Sequence, residues 1–190
     1  MKKEHYPFDN FSLGKFSTLT QKRAISREDL QQIVAIPLPE DSKLQAARGY
    51  FLFSYYVQGM NFRDMATLKW KKIIKDRVVY THLKTGKMMQ FKLLAPALEI
   101  LEKYKRAASE EKDDFVFTIL NKSEHTTPHQ ISNRINRILR QVNASLKELA
   151  EAAKVPIHLT TYVARHTYAT ILKQSGISTG AISEALGHKG

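Results

Sequence analysis

The sequence predicts a mainly helical α+β domain carrying one small antiparallel β-sheet. Two observations lead there. Between Pro128 and Leu149, the residues Ile131, Ile135, Ile138, Leu139, Val142, Leu146 and Leu149 recur at helical spacing and form a single apolar stripe. Two β-prone runs, Val78-Val79-Tyr80 and Met89–Leu93, flank a Thr85-Gly86 turn, the pattern of a hairpin.

The elements follow in order. Residues 1–24 are mixed and aperiodic, with Pro7 and Gly14, and read as an arm or linker; the domain is expected over 25–190. Ser26 stands three residues before Asp29, an N-cap pattern for a helix through about Val34, which Pro37 and Pro39 end. Asp41 to Gln58 is the next helix, with Leu44, Ala47, Phe51 and Tyr55 at helical spacing and Gly59 as its stop. Tyr50, Tyr55 and Tyr56 lie on this apolar helix and read as core. A short helix over Phe62–Leu68 precedes the hairpin, and Pro96 opens another through about Arg106. Phe115-Val116-Phe117 is a short buried segment, Pro128 starts the striped helix, and helices over 160–174 and 178–186 finish the chain. There is no internal repeat.

Composition narrows the partner. Lys+Arg of 30 against Asp+Glu of 18 gives a net charge of +12, which favours a polyanion, because neutralising phosphates releases counterions. Hydrophobic residues make up 43%, enough for a core. With no cysteine, disulfides and Cys-zinc sites are excluded. No run reaches the roughly 18 apolar residues of a membrane span, and no apolar signal core follows Met1-Lys2-Lys3. A soluble cytoplasmic protein is the simplest reading.

The most informative stretch is Ala164-Arg165-His166-Thr167-Tyr168-Ala169-Thr170, followed by Leu186-Gly187-His188. On a helix over Thr161–Gln174, Ala164, Tyr168, Ile171 and Leu172 share a face expected to meet the core. Tyr162, Arg165, His166 and Ala169 fall on roughly the opposite side, so Arg165 faces a surface or cleft. A guanidinium there can hold two phosphate oxygens at once and stays charged at any working pH.

These motifs, with Lys84-Thr85-Gly86-Lys87 upstream, resemble the signature of the tyrosine recombinase (phage integrase) family, in particular the integrases of bacterial mobile elements such as conjugative transposons. The resemblance covers roughly Ile25 to Gly190. It implies site-specific DNA recombination and integration: a tyrosine attacks the scissile phosphate, a 3′-phosphotyrosyl bond forms, and a second strand's hydroxyl restores the backbone, with no ATP, metal or other cofactor. It assigns Arg165 to the phosphate oxygens, His188 to hydrogen bonding or proton transfer at the same phosphate, and a hairpin lysine to protonating the leaving oxygen. Lys84 is the better match for that acid because it directly precedes Thr85-Gly86; Lys87 is the alternative.

Three departures from the family pattern stand out. Asn61 occupies the place of the usual first arginine, in Gly59-Met60-Asn61-Phe62-Arg63-Asp64; it can bond a phosphate but cannot neutralise it. Arg63 is a candidate substitute. Arg48 is another, provided that the far end of its helix, about 16 Å away, also borders the site. Tyr162 stands where the family often has histidine, and a phenol does not copy the proton traffic of an imidazole near neutral pH. The family nucleophile lies roughly ten residues beyond the histidine of Leu-Gly-His, whereas this sequence stops two residues after His188. The chain is therefore expected to be truncated before its nucleophile and inactive alone.

Arg134, Arg137 and Arg140, off the apolar stripe of the long helix, with Lys122 and His129 before it and His166 beside Arg165, are candidate backbone contacts to double-stranded DNA. Residues 1–24 are too few for the family's N-terminal core-binding domain and would be its linker. Active relatives work as tetramers on DNA; this fragment is expected to be a monomer. The competing reading is a non-catalytic DNA-binding regulator of the helix-turn-helix type, which leaves the joint presence of Lys84, Arg165 and His188 unexplained.

Overall fold

A computed structural model describes residues 24–105 and 112–187. Among these residues, seven α-helices and three strands follow in the order α1 (Arg27–Ala35), α2 (Lys43–Tyr56), α3 (Phe62–Ala66), β1 (Ile73–Ile74), β2 (Arg77–Thr81), β3 (Met88–Lys92), α4 (Ala95–Tyr104), α5 (Pro128–Ala152), α6 (Thr161–Gln174) and α7 (Thr179–Ala185). The arm over 1–23, Arg106 and His188 lie outside the described residues. Among the described residues, no helix is long and apolar enough to cross a membrane.

Local chemistry sets the helix starts. Ser26 accepts from the Asp29 backbone N–H at 3.0 Å, and the Asp29 carboxylate accepts from the Ser26 N–H at 3.2 Å. This reciprocal capping box satisfies two donors that the first turn would leave orphaned. Ser42, Asn61 and Ser178 cap α2, α3 and α7 in the one-way form, while Thr127 and Gln130 build a second box on α5. Pro96 and Pro128 sit in the first turns of α4 and α5, where no backbone donor is needed.

Helix α2 is the hub and packs against α4, α5 and α6. Residues 50–54 are all buried, so this stretch of the helix is enclosed on every side rather than striped. Phe117, from the short buried segment, gathers the surrounding aromatics: its ring lies 4.9 Å from Phe53, 5.5 Å from Tyr50 and 4.9 Å from Tyr104, all edge to face. Tyr50 is core, whereas Tyr55 and Tyr56 are half-buried at its edge. The α5 stripe seats Ile135, Val142, Leu146 and Leu149 in the core, with Ile131, Ile138 and Leu139 packed at its margin.

The sheet runs β1-β2-β3, antiparallel throughout. The hairpin is the expected one; β1 is an addition, since two residues are too few for an alternation to show. Val78, Tyr80, Met89 and Phe91 point inward, the period-two pattern of a half-buried sheet.

Helix α6 is turned relative to expectation. Its buried positions are Val163, Ala164 and Thr167, while Tyr168, Ile171 and Leu172 are only half-buried. Thr167 is drawn in because its hydroxyl accepts the Ile25 backbone N–H at 3.2 Å, tying the start of the domain to α6.

Candidate nucleic-acid interface

Arg165 is half-buried, one turn into α6. Its Nη1 donates to the Gly59 carbonyl at 3.0 Å, and its Nη2 donates to the Leu186 carbonyl. The guanidinium is thus strung between the α2–α3 turn and the end of α7. It has five N–H groups, so donors remain for a further acceptor. Gly59 makes this seat possible. At φ +70° it holds a left-handed conformation, and a Cβ there would sit 2.9 Å from both Cα and Cγ of Arg165. Burial lowers the Arg165 pKa, and Tyr162, Tyr80 and Asp64 oppose that shift; a guanidinium remains charged regardless.

The lysine turn docks on the same end of α7. The turn is closed at its root by His82, whose N–H donates to Lys87 and whose carbonyl accepts from Gly86, each at 2.8 Å. The Thr85 hydroxyl donates to the Gly187 carbonyl at 3.0 Å, and Lys87 Nζ donates to the Glu184 carbonyl at 3.4 Å. Lys87 is therefore engaged with α7. Lys84 is exposed, and among the described residues it has no hydrogen-bond or ion-pair partner.

Beneath the turn lies a buried polar cluster. Asn61 caps α3: its Oδ1 accepts from the Asp64 N–H at 2.9 Å, and its Nδ2 donates to Asp64 Oδ2 at 2.6 Å. The other Asp64 oxygen accepts the Leu83 N–H at 3.0 Å, one residue before Lys84. His82 Nε2 lies 3.7 Å from Asp64 Oδ2 and 3.4 Å from Asn61 Nδ2. A Cβ on Gly187 would come within 3.3 Å of the His82 ring and 3.1 Å of Met89 Sδ, so the end of α7 closes over the imidazole. Burial pushes the Asp64 carboxyl above the ordinary carboxylate range, against the Leu83 N–H, His82, Asn61 and Arg165. Burial likewise pushes the Tyr80 phenol well up, with Asp64 adding to the effect and Arg165 opposing it.

The remaining candidates divide by location. Tyr162 is exposed one turn before Arg165, with its ring 4.6 Å from His166 and edge-on to it. Arg63 is exposed on α3. Arg48 is committed elsewhere: its Nη1 donates to the carbonyls of Ile33, Val34 and Ile36, and its Nη2 to Gln45 Oε1. The last turn of α1 has no basic residue of its own, and Arg48 supplies the donors that its carbonyls lack. Arg134 Nε donates to the Ile119 carbonyl at 3.0 Å, and Lys122 pairs with Asp114 at 2.8 Å. Arg137 and His129 are exposed, and exposed Arg140 bonds the Asn136 carbonyl of its own helix. The structure thus joins Arg165, the lysine turn and the Asn61 cap through Gly59, Asp64 and the end of α7, and leaves Arg48 outside that set. A cavity of 680 Å³ also lies on the Arg48 side, between α2 and α4.

A model described as the phage integrase family matches residues 23–190. The chain belongs to that family. The fold of this integrase-family domain is that of the tyrosine recombinases. It is similar to the crystal structure of XerA recombinase (TM-score 0.58, 17% identity, 88% of this chain and 56% of that one). It is also similar to the integrase from mycobacterium phage Brujita (TM-score 0.56, 18% identity, 86% and 48%). A third likeness is to XerH site-specific recombinase bound to difH substrate in a pre-cleavage complex (TM-score 0.58, 20% identity, 86% and 45%). The domain spans about half the length of those chains. No curated protein matches it.

Asp64 and His82 are the members of this domain's cluster that sequence reasoning passed over. Both left a trace. Asn61 followed by Asp64 has the spacing of an N-cap with an acidic third residue, and His82 continues the buried alternation of Val78 and Tyr80.

Proposed function

We propose that this chain is the catalytic domain of a site-specific tyrosine recombinase, cutting and rejoining double-stranded DNA through a 3′-phosphotyrosyl intermediate. The observation that carries the reading is the seat of Arg165. Two carbonyls, from the Gly59 turn and the end of α7, aim a half-buried guanidinium with donors to spare, beside a docked turn that presents a lysine without a partner among the described residues.

In this reading Arg165 holds the non-bridging oxygens of the scissile phosphate as charge builds on them. A tyrosine hydroxyl, giving its proton to water, attacks phosphorus and forms the new P–O bond as the bond to the 5′ oxygen breaks. Lys84 gives its proton to that departing oxygen. The exchange replaces one phosphoester by another, so no nucleotide is consumed, and the reverse attack by a 5′-hydroxyl reseals the strand. His188, which follows Gly187 directly, bonds the same phosphate, and the Tyr162 phenol donates a further hydrogen bond. Arg63, His166 and Arg137 add phosphate contacts that position the duplex without reading its sequence. Arg134, which bonds the Ile119 carbonyl, and Lys122, which pairs with Asp114, contribute less. Four copies assemble on two duplexes, and the reaction takes place in the cytoplasm on mobile-element DNA.

The test is a suicide substrate, nicked beside the scissile phosphate, offered to the protein of the full reading frame. A covalent protein–DNA adduct that disappears with Arg165→Ala supports the recombinase. Intact DNA binding with no adduct points instead to a non-catalytic regulator.

A further inference from the structure

Resting on the recombinase reading, we propose that His82 is a positioning residue for Lys84: its buried imidazole is the wedge that sets the height and angle of the lysine turn over the phosphate.

Three elements meet at this one residue. The backbone of His82 closes the turn, through Lys87 on one side and Gly86 on the other. Its Nε2 faces the Asn61–Asp64 cap of α3 at 3.4 and 3.7 Å. Its carbon edge is covered by Gly187 at the end of α7, where a Cβ would come within 3.3 Å. The ring is 4% exposed and so has almost no direct access to a bound duplex. Its influence must pass through the chain, and the nearest functional group along the chain is the exposed Lys84, two residues on. Asp64 holds the intervening residue by accepting the Leu83 N–H. The lysine therefore projects from a segment pinned at Leu83 and wedged at His82.

The same contacts explain why an imidazole suits the place. Nδ1 has no hydrogen-bond partner among the described residues. The flat ring lies between Gly187 and the Asn61–Asp64 cap, with one nitrogen turned toward the cap. Without that ring, the turn can sink toward α3 and carry Lys84 away from the leaving oxygen, with Arg165 still in its seat.

A sulfur substitution isolates that effect. With an ordinary phosphodiester, the electron pair of the breaking bond goes to the 5′ oxygen, which takes a proton from Lys84. With sulfur at that bridging position, the pair leaves on sulfur as a stable thiolate, and no proton is needed. Single-turnover cleavage of both substrates is measured with the unsubstituted full-reading-frame protein and with His82→Ala, His82→Gln, Lys84→Ala and Arg165→Ala. His82→Ala is expected to slow cleavage of the oxygen substrate at least tenfold and that of the sulfur substrate little, as for Lys84→Ala. His82→Gln should recover part of the loss, and Arg165→Ala should slow both substrates alike. The ratio of the two rates does not depend on how much of a variant is folded. An unchanged ratio for both His82 variants overturns the positioning role and leaves the recombinase reading intact. Failure of the unsubstituted protein to cleave either substrate overturns both.

Discussion

Arg48 and Arg165 are both half-buried arginines that donate to backbone carbonyls, yet the two corners of the molecule they occupy differ in kind. At the α1–α2 corner, one guanidinium nitrogen of Arg48 serves three carbonyls at the end of a single helix, and the other serves Gln45. It completes α1. At the α6 corner, Arg165 bonds one carbonyl on each of two elements distant in sequence, and its remaining donors are uncommitted among the described residues. An arginine that finishes one helix end is architecture. An arginine suspended between two elements is aimed. The cavity of 680 Å³ beside Arg48 does not reverse this, because a DNA backbone lies on an open surface rather than inside a pocket.

The contrast breaks first at Arg165. Replacing it with lysine removes the planar fork while keeping the charge. Strand cleavage by the full-reading-frame protein should fall by at least ~10²-fold, the scale of losing one oxyanion donor, while DNA affinity changes little; a lysine variant that cleaves normally would erase the distinction. Next in size is Gly59→Ala, which places a Cβ against the Arg165 backbone at a positive φ. It should cost about 1–3 kcal/mol in denaturant unfolding, the range for a strained backbone, and should also slow cleavage by displacing Arg165. Arg48→Ala should cost a similar 1–3 kcal/mol for the carbonyls it leaves bare, without slowing cleavage per folded molecule. Equal catalytic damage from the two arginine variants would remove the contrast.

Much of this was legible beforehand. The α5 stripe, the Ser26 cap and the hairpin all follow from patterns spanning a few residues, and each is present. The Lys84-Thr85-Gly86 turn and the Arg165 helix were recognisable for the same reason. What stayed hidden depends on contacts distant in sequence. The inward turn of α6 comes from Thr167 accepting the Ile25 N–H, 142 positions away. The seat of Arg165 depends on Gly59, 106 positions away. Arg48 is likewise explained only by the unmet carbonyls of the preceding helix. Asn61 looked like the gap left by a missing arginine; in the structure it is the N-cap of α3 and a link to Asp64.

Two smaller effects sharpen the comparison. Because burial raises the Asp64 pKa, the folded protein holds that proton more tightly than the unfolded chain does. Its contribution to stability is therefore full below the unfolded carboxylate pKa and is lost as pH rises through the folded one. The Tm of Asp64→Asn relative to the parent should accordingly rise as pH is raised from the acid side of the carboxylate range toward neutrality; a difference independent of pH would contradict the buried-carboxyl assignment. The smallest change is expected from the exposed Arg137. Arg137→Ala should weaken binding uniformly across DNA sequences and lower the salt slope of affinity by about 1; an unchanged slope would remove that residue from the interface.

The most direct test of the central claim sets the two arginines side by side on the suicide substrate. The account predicts a covalent protein–DNA adduct with the unsubstituted protein and with folded Arg48→Ala, and none with Arg165→Ala despite intact DNA binding. An adduct that persists without Arg165, or that is lost equally without Arg48, would contradict it.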